Sequence, residues 1–172
     1  MDFSEILQRL KEIGAFNKEP QIEQSAPSTV DEALGIDPRE EFKRRISGVE
    51  SNFGTNLNHP LIQSGIQAGD KAIGQYALMP NTIQEFAGRM GNKKLKDMPK
   101  ELYPDYFKKN PKEYDEMADY GMDFVLDKFK DPEAAAFAWN QGHNLDPNTI
   151  TPEKLEKSDY IRKFRNIKDR IK

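Results

Sequence analysis

The chain has 172 residues, enough for one domain with a single core and too few for two ordinary ones. With 36% hydrophobic residues, 32% charged residues and a mean hydropathy of −0.85, it reads as a polar-surfaced globular chain, and a net charge of −3 supplies no general attraction to nucleic acid. The absence of cysteine rules out disulfides and thiolate metal sites, and two histidines leave few ligands for a metal, so the composition points to chemistry without a metal or other cofactor.

Residues 1–16 carry Phe3, Ile6, Leu7, Leu10 and Ile13 on one helical face. That stripe needs a partner, either the body of the same domain or a larger assembly. No apolar run is long enough to span a membrane, and charges interrupt the leader's apolar positions, so it does not read as a secretory signal. The following stretch to Gly35 is polar, holds two prolines and lacks periodicity, as expected of a linker or surface arm. The expected organisation is an N-terminal helix and arm over 1–36 and one domain over 37–172.

Asp37 followed by Pro38 is an N-cap and first-turn proline, with Glu40 and Glu41 behind them, and predicts a helix that stops at Gly54. Phe42, Ile46, Val49 and Phe53 form its apolar stripe. Glu50 falls at the edge of that stripe, four residues after Ile46. A carboxylate there is partly desolvated, which disfavours the charged form and raises its pKa, as general-acid work near neutrality requires. The alternative is an ordinary boundary glutamate with its head group in water.

Beyond a polar loop of residues 55–71, the segment Gly74-Gln75-Tyr76-Ala77-Leu78-Met79-Pro80 leads into a helix whose stripe of Ile83, Phe86, Ala87 and Met90 ends at Gly91. Residues 92–112 are lysine-rich, with Leu102, Tyr103, Tyr106 and Phe107 as anchors; such a loop suits anionic peptide stems or wall polymers, or is a solvated excursion. Asn110-Pro111, Asp131-Pro132 and Thr151-Pro152 repeat the cap-then-proline signal. The helix from Pro111 to Lys130 should bury Tyr114, Met117, Ala118, Gly121, Val125 and Phe129, with Gly121 at a close helix crossing. The alanine-rich helix after Asp131 brings Trp139 and Asn140 to its last turn, next to Gly142 and His143. A closing helix presents Leu155, Ile161, Phe164, Ile167 and Ile171.

Three of these pieces, in order, resemble the catalytic domain of lytic transglycosylases, lysozyme-like enzymes that cut peptidoglycan. Glu50-Ser51 followed by Phe53 resembles that family's Glu-Ser motif with its aromatic neighbour. Ala72 to Thr82 is similar to its Gly-Leu-Met-Gln-x-Met-Pro-x-Thr segment, and Ala135 to Gly142 to its Ala-x-x-Tyr-Asn-Ala-Gly motif. Ser158-Asp159-Tyr160-Ile161 resembles the stretch that closes the domain. The likeness spans roughly residues 38–165, and three motifs in order carry more weight than any one. Two positions depart from it: Ala77 stands where the family has Gln, and Trp139 where it has Tyr.

The resemblance implies a mainly α, lysozyme-like two-lobed domain with at most a small β-hairpin between Thr55 and Tyr76. It implies cleavage of the β-1,4 bond between N-acetylmuramic acid and N-acetylglucosamine, with Glu50 as the one acid/base and a 1,6-anhydro product. Ser51 would orient the N-acetyl group, and Gly74, Gln75, Tyr76 and Asn140 would hold sugar. Trp139 would stack on sugar or fill the core, and Tyr160 would orient Glu50. The expected partner is a peptidoglycan glycan strand, met by a monomeric domain in the bacterial wall after delivery by phage machinery, with other virion proteins contacting residues 1–36. Two alternatives stay open: a hydrolytic goose-type lysozyme relative using a second carboxylate such as Asp70, and an inactive virion or wall-binding protein that kept the fold.

Overall fold

Proline and its neighbours set the helix starts. A computed structural model describes residues 37–63 and 68–168, so the expected leader and arm over 1–36, and Ile171, lie outside the described residues. The described part belongs to one unit, Ile36–Lys172, and is mainly helical. In order the helices are α1 Pro38–Ser51, α2 Pro80–Arg89, α3 Lys93–Lys96, α4 Tyr103–Lys109, α5 Pro111–Phe129, α6 Pro132–Gln141, α7 Pro152–Lys157 and α8 Asp159–Lys168. All four cap-proline signals open a helix. Asp37, Asp131 and Thr151 accept hydrogen bonds from Arg39, Ala134 and Lys154 backbone N–H groups. Asn110 makes no such cap; its amide instead donates to Tyr106 O at 2.9 Å, tying α5 to α4.

α1 packs on α8 and α5, and α6 packs on both α5 and α8. Phe42 meets Phe164 with ring centroids 5.7 Å apart, and Lys43 and Arg39 of α1 pair with Asp119 and Asp123 of α5. Arg165 of α8 grips Glu133 of α6 through two bonds of 2.7 Å. The six apolar positions expected to be buried along α5 are buried. Gly121 lies under α2: a Cβ there would sit 2.4 Å from the Phe86 ring, closer than atoms can pack.

Three expectations fail locally. α1 ends at Ser51 rather than Gly54, because Asn52, Phe53 and Gly54 take φ of 50°, 58° and 77°, left-handed values that no helix continues through. Phe53 therefore leaves the stripe and is 45% exposed. Met90 and Leu102 also face solvent, since α2 and the 3₁₀ turn Lys100–Leu102 end in the turns that carry them. Between Thr55 and Pro80 the extended pairing among the described residues consists of two antiparallel bridges, Leu61 with Lys71 and Ile73 with Leu78.

Candidate active site

Glu50 occupies the last turn of α1, where the unpaired helix carbonyls already disfavour a negative charge. Burial of its carboxyl raises its pKa above the usual carboxylate range, against the opposing pull of a Tyr160 hydrogen bond and the Lys163 ammonium. Tyr160, at the start of α8, donates its Oη to Glu50 Oε1 at 2.7 Å. In return the carboxylate and burial push the Tyr160 phenol well up, burial contributing most. A protonated or ionised Glu50 can thus be held in one orientation.

Ser51 points away from solvent. It is 2% exposed, and its hydroxyl donates to Gln75 O at 2.8 Å or Ser47 O at 3.1 Å while accepting from Gly54 N–H at 2.8 Å. With donor and acceptor capacity committed to backbone, its place is that of a clamp between α1 and the turn at Gln75, not a direct contact with an N-acetyl group. That departs from the role implied by the resemblance.

The turn from Ile73 to Leu78 is fixed from every side. Tyr114 Oη donates to Ile73 O at 2.9 Å and accepts from Tyr76 N–H at 3.0 Å, and its ring stacks on Tyr76 with centroids 5.9 Å apart. Gly74 sits at φ 69°, and a Cβ there would lie 2.3 Å from the Tyr114 ring, so this position requires glycine twice over. His59 Nε2 lies 2.7 Å from Gly74 O; a carbonyl only accepts, so Nε2 carries the hydrogen. Trp139 donates its indole N–H to Tyr76 O at 3.2 Å. Ala77, at φ 52°, ends this tight bend.

The carbonyls of Gly74, Gln75 and Tyr76 and the Tyr76 N–H are therefore bonded within the protein, and the Tyr76 ring is only 4% exposed. Tyr76 is a core residue and Gly74 a geometric necessity; of these three, Gln75 alone offers a side chain, which lines a pocket of about 530 Å³. Trp139 packs half-buried against the core and also faces a second pocket, of about 150 Å³, with Asn140 and Ala77. Asn140 is exposed, its Oδ1 accepting from Gln141 Nε2 at 2.6 Å. Neither pocket is lined by Glu50. Asp70, the alternative second carboxylate, faces Lys100 Nζ at 3.6 Å.

Sequence reasoning missed the role of Tyr114, and marked His143 only by its place next to Gly142. Tyr114 looked like stripe filler, and nothing in its register reveals that its hydroxyl reaches Ile73, 41 residues away. His143 donates from Nε2 to Glu85 Oε2 at 2.9 Å, beside the Trp139 pocket. Burial acts to raise the Glu85 carboxyl, but Arg89, His143 and Asn144 outweigh it and hold its pKa down. No cluster of metal-binding side chains occurs among the described residues. No helix among them is long and apolar enough to cross a membrane. In comparisons with protein-family models, curated proteins and solved structures, the chain has no significant match.

Proposed function

We propose that the protein is a peptidoglycan lytic transglycosylase acting in the bacterial wall, built on a lysozyme-like two-lobed domain with Glu50 as its single acid and base. The observation that carries this reading is the Glu50 carboxyl itself: at a helix end, desolvated, raised in pKa and oriented by Tyr160 at 2.7 Å. Protonated Glu50 gives its proton to the glycosidic oxygen between N-acetylmuramic acid and N-acetylglucosamine. The substrate's own N-acetyl oxygen stabilises the developing cation. Ionised Glu50 then takes the proton of the muramoyl 6-hydroxyl, which closes the 1,6-anhydro ring. No second carboxylate is needed, in contrast to retaining and inverting hydrolases, and the pairing of Asp70 with Lys100 favours the one-acid scheme.

Mass analysis of digested peptidoglycan tests the reading. Anhydromuramoyl ends support it, reducing ends replace it with hydrolysis, and intact strands leave a wall-binding protein. A folded Glu50→Gln protein that lyses walls like the wild type would sink the assignment of Glu50, since an amide neither gives nor takes the proton.

A further inference from the structure

A pocket lies beside the turn, and Glu50 is not among its lining residues. Its volume of about 530 Å³ falls within the range of small-ligand sites. Ile73, Phe107, Tyr114, Leu57, Pro104 and Pro111 supply much of its apolar lining. Lys71, Lys108 and Asp115 stand among the lining residues. The lysine-rich stretch of residues 92–112, which the catalytic scheme leaves without a task, supplies four of these residues, Pro104, Phe107, Lys108 and Pro111.

We infer that this pocket binds a short acidic peptide bearing small methyl side chains, the class of peptide stem carried by N-acetylmuramic acid, an assignment that rests on the peptidoglycan reading above. The chemistry of the lining matches that ligand in two ways. The apolar lining suits alanyl methyl groups, and ammonium groups suit the free carboxylates of the stem. Lys71 bonds the neutral Asn58 Oδ1 at 2.9 Å, so its charge is not matched by that partner. Among the described residues Lys108 pairs with Asp105, at 3.2 Å and with both side chains more than three-quarters exposed, an exchangeable contact. Asp115 offers the opposite charge to the ammonium of a diamino acid in the stem.

Position supports the same occupant. Gln75 and Gly54 line the pocket, and both are bonded to Ser51 Oγ, at 2.8 Å each, through Gln75 O and Gly54 N–H. Ser51 directly follows Glu50. The pocket lining is thus tied by hydrogen bonds to the residue that follows Glu50 in α1.

The test is titration of the full wild-type chain with the synthetic tetrapeptide L-Ala-γ-D-Glu-L-Lys-D-Ala, followed by amide shifts and calorimetry. The expected result is saturable binding, with shifts confined to residues 54–57, 71–75 and 104–115. Reversal of charge in a Lys71→Glu/Lys108→Glu variant should weaken it roughly tenfold, the combined loss of two exposed ion pairs and the added repulsion. Leu57→Ser, in an exposed loop, should weaken it severalfold and serves if the double variant does not fold. Absence of saturable binding, including exclusion of the peptide by another segment of the chain, overturns the inference, as does binding indifferent to both variants. The outcomes separate from those of the catalytic reading: anhydro products without peptide binding leave Glu50 in place and remove the pocket, whereas peptide binding without wall cleavage removes the role of Glu50.

Discussion

Removing the phenolic oxygen of Tyr114, in a Tyr114→Phe variant, strikes the turn at its best-held point. Two hydrogen bonds go, but their consequences differ. Ile73 O also accepts from Leu78 N–H at 3.0 Å and stays satisfied, whereas Tyr76 N–H loses its partner in a buried setting. The loss of one ordinary bond costs about 0.5–1.5 kcal/mol and an orphaned buried N–H about 1–3 kcal/mol. The ring contacts with Tyr76 and Phe107 survive, since the aromatic body is unchanged. The expected destabilisation is therefore about 2–4 kcal/mol, or a fall in melting temperature of roughly 5–12 °C for a chain of this size. Tyr106→Phe is the control: its hydroxyl bonds the exposed Lys94 and the part-buried Glu113, where water can replace the contact and the expected cost is below about 1 kcal/mol. Thermal unfolding by circular dichroism and urea titration measure both. Equal melting temperatures for the two variants would refute the reasoning, because they would mean that the Tyr114 hydroxyl does not hold the turn.

A raised Glu50 pKa means that the folded state holds its proton more tightly than the unfolded chain, so wild-type stability is greatest below the ordinary carboxylate pKa and declines as pH rises through the raised value. Glu50→Gln lacks that decline: relative to the wild type its melting temperature should rise between about pH 4 and pH 7, by about 1.4 kcal/mol of stability for each pH unit separating the two titrations, and a relative fall would contradict a desolvated carboxyl. Tyr160→Phe removes the donor that favours ionised Glu50, so the alkaline limb of the pH–rate profile should move to higher pH while the maximum rate falls; a limb that moves down would reverse the role of Tyr160. Trp139→Phe loses the bond to Tyr76 O and some packing, for an expected cost of roughly 1–2 kcal/mol together with slower wall lysis; unchanged stability on urea titration would show that the indole N–H contributes nothing to the turn.

Local signals in the sequence carried far. Asp37, Asp131 and Thr151 each cap a helix over the next three residues, an interaction that the chain cannot avoid displaying. The α5 register was equally open, because the period of its apolar residues follows from helix geometry alone. The end of α1 was not. Phe has no intrinsic preference for a φ of 58°, and its ring lies over the space that a side chain at Gly48 would take, a relation between residues that the sequence does not display. At the site, the resemblance named Tyr160 as the partner of Glu50 across 110 residues, whereas nothing displayed that Ser51 would bond Gln75 O, 24 residues on. A motif indicates which residues matter and leaves open which way they face, and so Ser51 and Tyr76 turned out to be internal.

One carboxyl that serves first as acid and then as base needs an environment that tolerates both forms. Burial and the helix terminus favour the protonated form of Glu50, and Tyr160 and Lys163 favour its anion, so that under the proposed scheme the first pair acts before bond cleavage and the second after it. Neither pair of effects can be strengthened alone without stalling one half of the cycle. A single acid also supplies no second contact to locate the substrate, so location must come from the scaffold. Here the scaffold answers with a turn held by Ser51, His59, Tyr114 and Trp139, drawn from α1, the preceding loop, α5 and α6. Because Ser51 adjoins Glu50 and bonds Gln75, any movement of that turn is felt at the carboxyl within one residue. The rigidity of the turn is thus the counterpart of the economy of the acid.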